Sequence, residues 1–171
     1  MEFTMSKHDI RFAAEADLPQ INAIFNHYVA TSTCVWTTHP YTDQERKAWF
    51  DAHDATTPVL VAEKNGNIVG WGALSRFQTA CTFHRTAENS VYVHPEFQRQ
   101  GIGRQLLFEL MQCARQAGHV SIIAAISADQ APSIALHNAA GFRQVGLFRK
   151  VGYKFNRYYD VLYMQRHLEN R

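Results

Sequence analysis

The sequence predicts a mixed α/β sheet with helices on both faces. Helical periodicities alternate with strand-like runs along the chain, which sets the class. Residues 120–126 form a continuous apolar run, the pattern of a strand covered on both faces. Residues 86–126 read as a strand–helix–strand unit, whose right-handed crossover makes its two strands parallel. The predicted order is β-α-α-β-β-β-α-β-α-β-β, a central sheet of about six to seven strands.

The elements follow in turn. Residues 8–13 alternate around Ile10 and Phe12 as a short first strand. Asp17, with Gln20 three places on, has capping-box spacing, and Leu18, Ile21, Phe25 and Tyr28 recur on one helical face over residues 17–30. Residues 31–41 read as a loop around Trp36 and Pro40. Thr42 or Asp43 caps a second helix to about residue 55, anchored by Trp49 and Phe50. Two strands, Val59–Lys64 and residues 67–74, meet at Asn65-Gly66, a strong hairpin signal. A third runs from Thr86 to Val93, ended by His94-Pro95. Leu106, Leu107, Leu110, Met111 and Ala114 mark a helix over residues 102–117, stopped by Gly118. After the strand at 120–126, a short helix at 132–140 ends at Gly141, and strands at 143–151 and 158–166 close the chain.

At 171 residues one domain is expected, over residues 8–168, with residues 1–7 as a tail without periodic pattern. The chain is 46% hydrophobic and 19% charged, which excludes disordered and low-complexity classes. A net charge of +2 without a polybasic block argues against nucleic acid as partner. No apolar run reaches the roughly 18–20 residues of a membrane span. The three cysteines lack C-x-x-C spacing and read as reduced thiols of a cytoplasmic protein. The nine histidines include no H-x-x-x-H or H-E-x-x-H pair, so no metal site is expected.

The most informative stretch is Gln98-Arg99-Gln100-Gly101-Ile102-Gly103-Arg104, between a strand and a helix. Its glycines permit close backbone approach, the helix N-terminus carries partial positive charge, and Arg99 and Arg104 add full charges. This is either an anion cradle suited to a pyrophosphate or a glycine-rich start to a helix. A P-loop would need Gly-Lys-Ser or Gly-Lys-Thr, and a dinucleotide fingerprint a third glycine where Leu106 stands.

Gln98, Gly101 and Gly103 match the Q/R-x-x-G-x-G/A loop with which GNAT acetyltransferases hold acetyl-coenzyme A (acetyl-CoA). Three further stretches resemble the phosphinothricin N-acetyltransferase group, which includes methionine sulfone and sulfoximine acetyltransferases. They are Thr86-Ala87-Glu88-Asn89-Ser90-Val91-Tyr92-Val93-His94-Pro95, Ser133-Ile134-Ala135-Leu136-His137 with Gly141-Phe142, and Val151-Gly152-Tyr153-Lys154-Phe155 with Asp160. The resemblance spans residues 10–165. It implies the GNAT fold with a parallel β-α-β cofactor-binding unit, acetyl-CoA as co-substrate, a small amino-acid-like acceptor and a homodimer.

Glu88 lies inside an otherwise apolar strand. It is either a surface-facing residue of an edge strand or, as the resemblance implies, the base that deprotonates the acceptor amine, with burial raising its pKa. Val91, Tyr92 and Val93 are core strand residues that would also offer backbone groups to the pantetheine arm. Gln98, Arg99, Gln100, Gly101, Ile102, Gly103 and Arg104 would bind the pyrophosphate. Gln130 stands where the family has Asn and is a candidate contact to the arm. His137 is either a packing residue of its helix or, by resemblance, the group that protonates the departing thiolate. Trp36 and Phe77 are candidates for the acceptor pocket, and Arg85 and Lys154 for its carboxylate. The family's basic residue four places before the Glu is replaced by His84, and a one-residue offset to Arg85 reverses the face in a strand.

Two other functions fit the same features less well. A GNAT enzyme for a protein N-terminus or polyamine would need an open channel or an acidic cluster near Glu88. A non-catalytic coenzyme A-binding module would lack the base or the loop.

Overall fold

The computed structural model describes residues 9–168. The expected tail at 1–7, and His8 of the expected first strand, lie outside them. The elements are β1 (Asp9–Phe12), α1 (Leu18–Thr31), α2 (Asp43–Asp51), β2 (Val59–Lys64), β3 (Asn67–Arg76), β4 (Thr86–Val93), α3 (Ile102–Gln116), β5 (Ser121–Ser127), α4 (Ala131–Ala139), β6 (Arg143–Lys154) and β7 (Arg157–His167). Seven strands form one sheet in the order β1-β2-β3-β4-β5-β7-β6. Among the described residues only the β4–β5 pair is parallel, as the strand–helix–strand unit predicts.

Helices cover both faces, each because its apolar stripe meets one set of alternating strand residues. Ile21, Phe25 and Val29 of α1 pack with Val59, Val61 and Trp71. Leu106, Leu107 and Leu110 of α3 pack with Leu60, Ala62, Leu74 and Ile122 on the opposite face. Burying each such side chain contributes roughly 1.5–3 kcal/mol. The sheet and α3 approach so closely that a Cβ on Gly72 would stand 2.9 Å from Leu110 Cδ1, which explains a glycine inside β3.

Local chemistry departs from the sequence reading in four places. Asp17 does not cap α1. It closes a short 3-10 turn at Glu15–Asp17, accepts the Ala14 N–H at 2.8 Å and pairs with Arg11 at 2.7 Å, which lowers its pKa. Gln20, expected in that cap, instead accepts the Ile68 N–H at 2.9 Å and ties the helix to β3. The α2 capping box is made by Thr42 and Glu45, but the helix stops at Asp51, because Asp54 takes the N–H groups of Thr56 and Thr57 into a turn. The last hairpin is longer than expected. Its strands run on to Lys154 and back from Arg157, and Phe155 and Asn156, at φ 49° and 59°, close β6 onto β7 in two residues.

The most buried residue of α2 is neither of its tryptophan and phenylalanine anchors. Arg46 is 1% exposed, and its guanidinium carbon lies 4.4 Å from the Phe25 ring centroid, 4.6 Å from Trp49 and 4.9 Å from Tyr41. Its Nε donates to Asn22 Oδ1 at 3.2 Å, and burial brings its pKa down to about 10. Aromatic faces stand in for a carboxylate here.

Candidate active site

β4 and β5 pair only at Thr86–Ser121, Ala87–Ile122 and Glu88–Ile123. Beyond Glu88 both strands continue, but they part. The gap opens into a cavity of ≈ 730 Å³, walled by residues 89–93 of β4 and 124–127 of β5 and reaching the 98–104 loop and α4. Along this stretch β4 is paired on its β3 side alone, so its other edge offers backbone N–H and C=O groups to whatever enters.

The loop at the mouth has the form of an anion cradle. Arg99 (φ 58°) and Gly101 (φ 84°) both take the left-handed conformation, and α3 begins directly after them. The first-turn N–H groups of that helix have no intrahelical acceptor and face the ligand space. Not every loop side chain serves a ligand. Gln98 donates to the Tyr28 hydroxyl at 2.8 Å, Tyr28 donates in turn to the Val93 carbonyl, and Gln100 donates to the Glu96 carbonyl at 3.4 Å. A Cβ on Gly103 would stand 3.4 Å from Leu136 Cδ2, an ordinary contact, so packing of α3 against α4 does not by itself require this glycine.

Glu88 sits at the apex of the gap, on the last paired rung. Register puts it on the same face as Ser75 of β3 and Ile123 of β5. It carries no ion pair among the described residues, and burial raises its carboxyl above the ordinary carboxylate range. Ser90 and Tyr92 follow on the same face, while Asn89, Val91 and Val93 point to the α3–α4 side.

His137 borders the cavity from α4. Its Nδ1 lies 2.8 Å from the Ser133 carbonyl oxygen, which can only accept, so Nδ1 carries the proton. Nε2 then accepts from Asn89 Nδ2 at 2.9 Å. Burial lowers the ring's pKa and favours this neutral form. In it His137 presents no proton to the cavity.

The loop between α1 and α2 closes one side. Gln130 Nε2 donates to Thr33 Oγ1 at 2.8 Å, and Thr33 and Ser127 donate to Asp129 at 2.7 and 2.6 Å. Trp36 lies edge-on to Tyr159 at 6.4 Å and covers Gly152, where a Cβ would collide with its ring. Phe77 follows the Arg76–Ala87 pair, one rung from Glu88, and packs edge-on to Phe83.

The structure thus gathers Val91, Tyr92, Val93, Gln98, Arg99, Gly101, Ile102, Gly103, Arg104, Gln130 and His137 around one cavity. Glu88 stands beside it on the last paired rung, and Gln100, Trp36 and Phe77 do not line it. It does not bring the two expected carboxylate holders there as free cations. Arg85 is exposed and donates to the Gly118 carbonyl at 3.1 Å, at the turn between α3 and β5. Lys154 is buried and gives two of its protons to backbone carbonyls. Two cavity residues escaped the sequence reading. Tyr28 fits the apolar stripe of α1 and so read as core, and Asn89 read only as part of the Thr86–Pro95 stretch, with no role of its own. Among the described residues no three His, Cys, Asp or Glu side chains cluster as a metal site would require, and no helix is long and apolar enough to cross a membrane.

A parallel pair that parts beside a glycine loop at a helix N-terminus defines an acyltransferase scaffold. The chain belongs to the acetyltransferase (GNAT) family, whose model matches residues 21–142. It is 38% identical to an L-methionine sulfoximine/L-methionine sulfone acetyltransferase of Salmonella typhimurium, over 94% of each chain. It is 35% identical to a phosphinothricin N-acetyltransferase of Alcaligenes faecalis, over 93% of this chain and 82% of the relative. The solved structure of yncA from Salmonella typhimurium with its cofactor acetyl-CoA superposes with a TM-score of 0.92 at 37% identity, covering 95% of both chains.

Proposed function

We propose that the protein transfers the acetyl group of acetyl-CoA to the α-amino group of a small amino acid of the methionine sulfoximine, methionine sulfone or phosphinothricin type. The observation that carries this reading is the parting of β4 from β5 at Glu88. It sets a free strand edge beside a half-buried carboxyl that has no ion-pair partner among the described residues. The names of the Salmonella and Alcaligenes relatives support the acceptor class.

The residues fit this co-substrate. First-turn N–H groups of α3, with Arg99 and Arg104, suit a pyrophosphate, and the free β4 edge suits an amide-bearing arm. Bound there, acetyl-CoA supplies an activated thioester. The edge of Val91–Val93 holds its carbonyl in place and polarises it. Glu88, poised by burial, would take the proton of the acceptor ammonium so that a neutral amine attacks the thioester carbonyl. The C–N bond forms, the C–S bond breaks, and coenzyme A leaves as a thiolate that takes up the second proton shed by the amine nitrogen. The loop held by Lys154 and Asp129 walls the acceptor side.

The catalytic unit so read spans residues 8–168 and works as a homodimer. β6 is an edge strand that exposes Val145, Leu147, Phe148, Val151 and Tyr153, more apolar surface than a lone edge usually carries. The unpaired thiols of Cys34, Cys81 and Cys113 suit a reducing, cytoplasmic compartment.

The test is release of free coenzyme A with methionine sulfone, methionine sulfoximine, phosphinothricin, common amino acids, spermidine and a short peptide as separate acceptors. Saturable release with one of the first three is expected. Release with only peptide or spermidine overturns the acceptor class, and release with none overturns the reaction.

A further inference from the structure

Asn89 is the first residue of β4 beyond the last β4–β5 rung, and it borders the cavity together with His137. It is 7% exposed and His137 4%. The orientation of its amide is dictated by α4. The Ser133 carbonyl fixes the His137 proton on Nδ1, the Nε2 lone pair then requires a donor, and the Asn89 NH₂ group supplies it. The opposite amide orientation would set lone pair against lone pair. The Asn89 oxygen is therefore the end left over, and it is buried with no hydrogen-bond partner among the described residues. A buried acceptor without a donor is costly and is retained where a ligand or water completes it.

We propose that Asn89, oriented by His137, is a cofactor-binding residue whose side-chain oxygen accepts a hydrogen bond from an amide N–H of the pantetheine arm. This rests on the reading that the cavity takes acetyl-CoA. The cavity is the space that Asn89 borders, and the arm is the part of that molecule that carries amide N–H groups beyond its nucleotide. His137 is then a positioning residue acting through Asn89, with its Nε2 proton-free during turnover.

The experiment is calorimetric titration of coenzyme A, and of adenosine 3′,5′-bisphosphate, which lacks the arm, into the wild type and Asn89→Leu, Asn89→Asp, His137→Leu and Asn89→Leu/His137→Leu variants. Asn89→Leu is expected to weaken coenzyme A about tenfold while leaving the armless nucleotide unchanged. Asn89→Asp keeps an acceptor but offers no donor to the His137 Nε2 lone pair and buries a charge beside it, so it is expected to lose coenzyme A affinity as Asn89→Leu does. His137→Leu should lose affinity like Asn89→Leu, and the double variant no more than either, because one interaction is being removed twice. If the leucine variant does not fold, Asn89→Ala carries the same expectation.

Wild-type coenzyme A affinity in Asn89→Leu or Asn89→Ala overturns the proposal. So does a His137→Leu variant that keeps its affinity but loses a limb of the pH profile of kcat, the behaviour of a catalytic acid. Failure of the wild type to bind coenzyme A at all would instead strike the reading of the cavity, and the proposal with it.

Discussion

The Lys154 ammonium donates to the Ser32 carbonyl at 2.7 Å and to the Val35 carbonyl at 2.8 Å, so the last residue of β6 holds the loop after α1 by its backbone. Burial lowers its pKa, and carbonyl dipoles rather than a carboxylate offset the charge. Lys154→Met leaves both carbonyls without this donor. It is expected to cost about 1–3 kcal/mol in thermal or urea unfolding and to raise KM for the acceptor while coenzyme A affinity holds. A rise in acceptor KM with no loss of stability would instead mark a direct substrate contact.

Glu88→Gln removes the base without changing the shape of the site. Turnover should fall by about 10²–10⁴ with coenzyme A affinity unchanged. The pH dependence has a definite sign. Only the carboxylate accepts a proton, so the wild-type rate falls as pH drops through the raised Glu88 pKa. That acid limb should vanish from the residual activity of the Gln variant, and its survival would assign the limb to another group.

Arg46 is held by stacking among Phe25, Tyr41 and Trp49 rather than by an ion pair. Arg46→Ala should destabilise by about 2–5 kcal/mol through the cavity it leaves. Arg46→Met should cost less, since an apolar chain of similar length fills the box without a buried charge. Arg46→Lys should cost more than Met, because a compact ammonium keeps the charge and loses the planar stacking. Melting temperatures of the three variants give the order directly.

Phe148→Glu and Val151→Glu place carboxylates on the exposed apolar edge of β6. In sedimentation velocity the wild type is expected as a dimer and the double variant as a monomer with unchanged far-UV circular dichroism. A wild-type monomer at micromolar concentration would remove this edge from the assembly.

Where structure follows from neighbours in sequence, the chain could be read directly. Asn65-Gly66 turns at φ 53° and 78° because those residue types tolerate it, and the 120–126 run became β5, an interior strand of the sheet, because it carries apolar residues on both faces. Glu88 stood out as the one charged residue of its strand. The misplaced residues are those whose partners are remote. Lys154 finds its carbonyl acceptors 122 and 119 positions away, and Arg85 bonds a carbonyl 33 positions on, so neither could be recognised as engaged. The role proposed for Asn89 depends on the tautomer of a histidine 48 positions away, fixed by a carbonyl one turn back in that histidine's own helix. No spacing rule encodes that.

The three rungs that join β4 to β5 have a mechanical consequence. They are a short seam between two stiff panels, one built on β1–β4 and the other on β5–β7. Panels joined along so little of their length are aligned mainly by the α3 core that underlies both, and local opening is expected to begin at the unstitched end of the seam. A guest laid between them as an extra strand would supply the missing stitches. Stiffness across the seam is then borrowed from the guest and returned when it leaves.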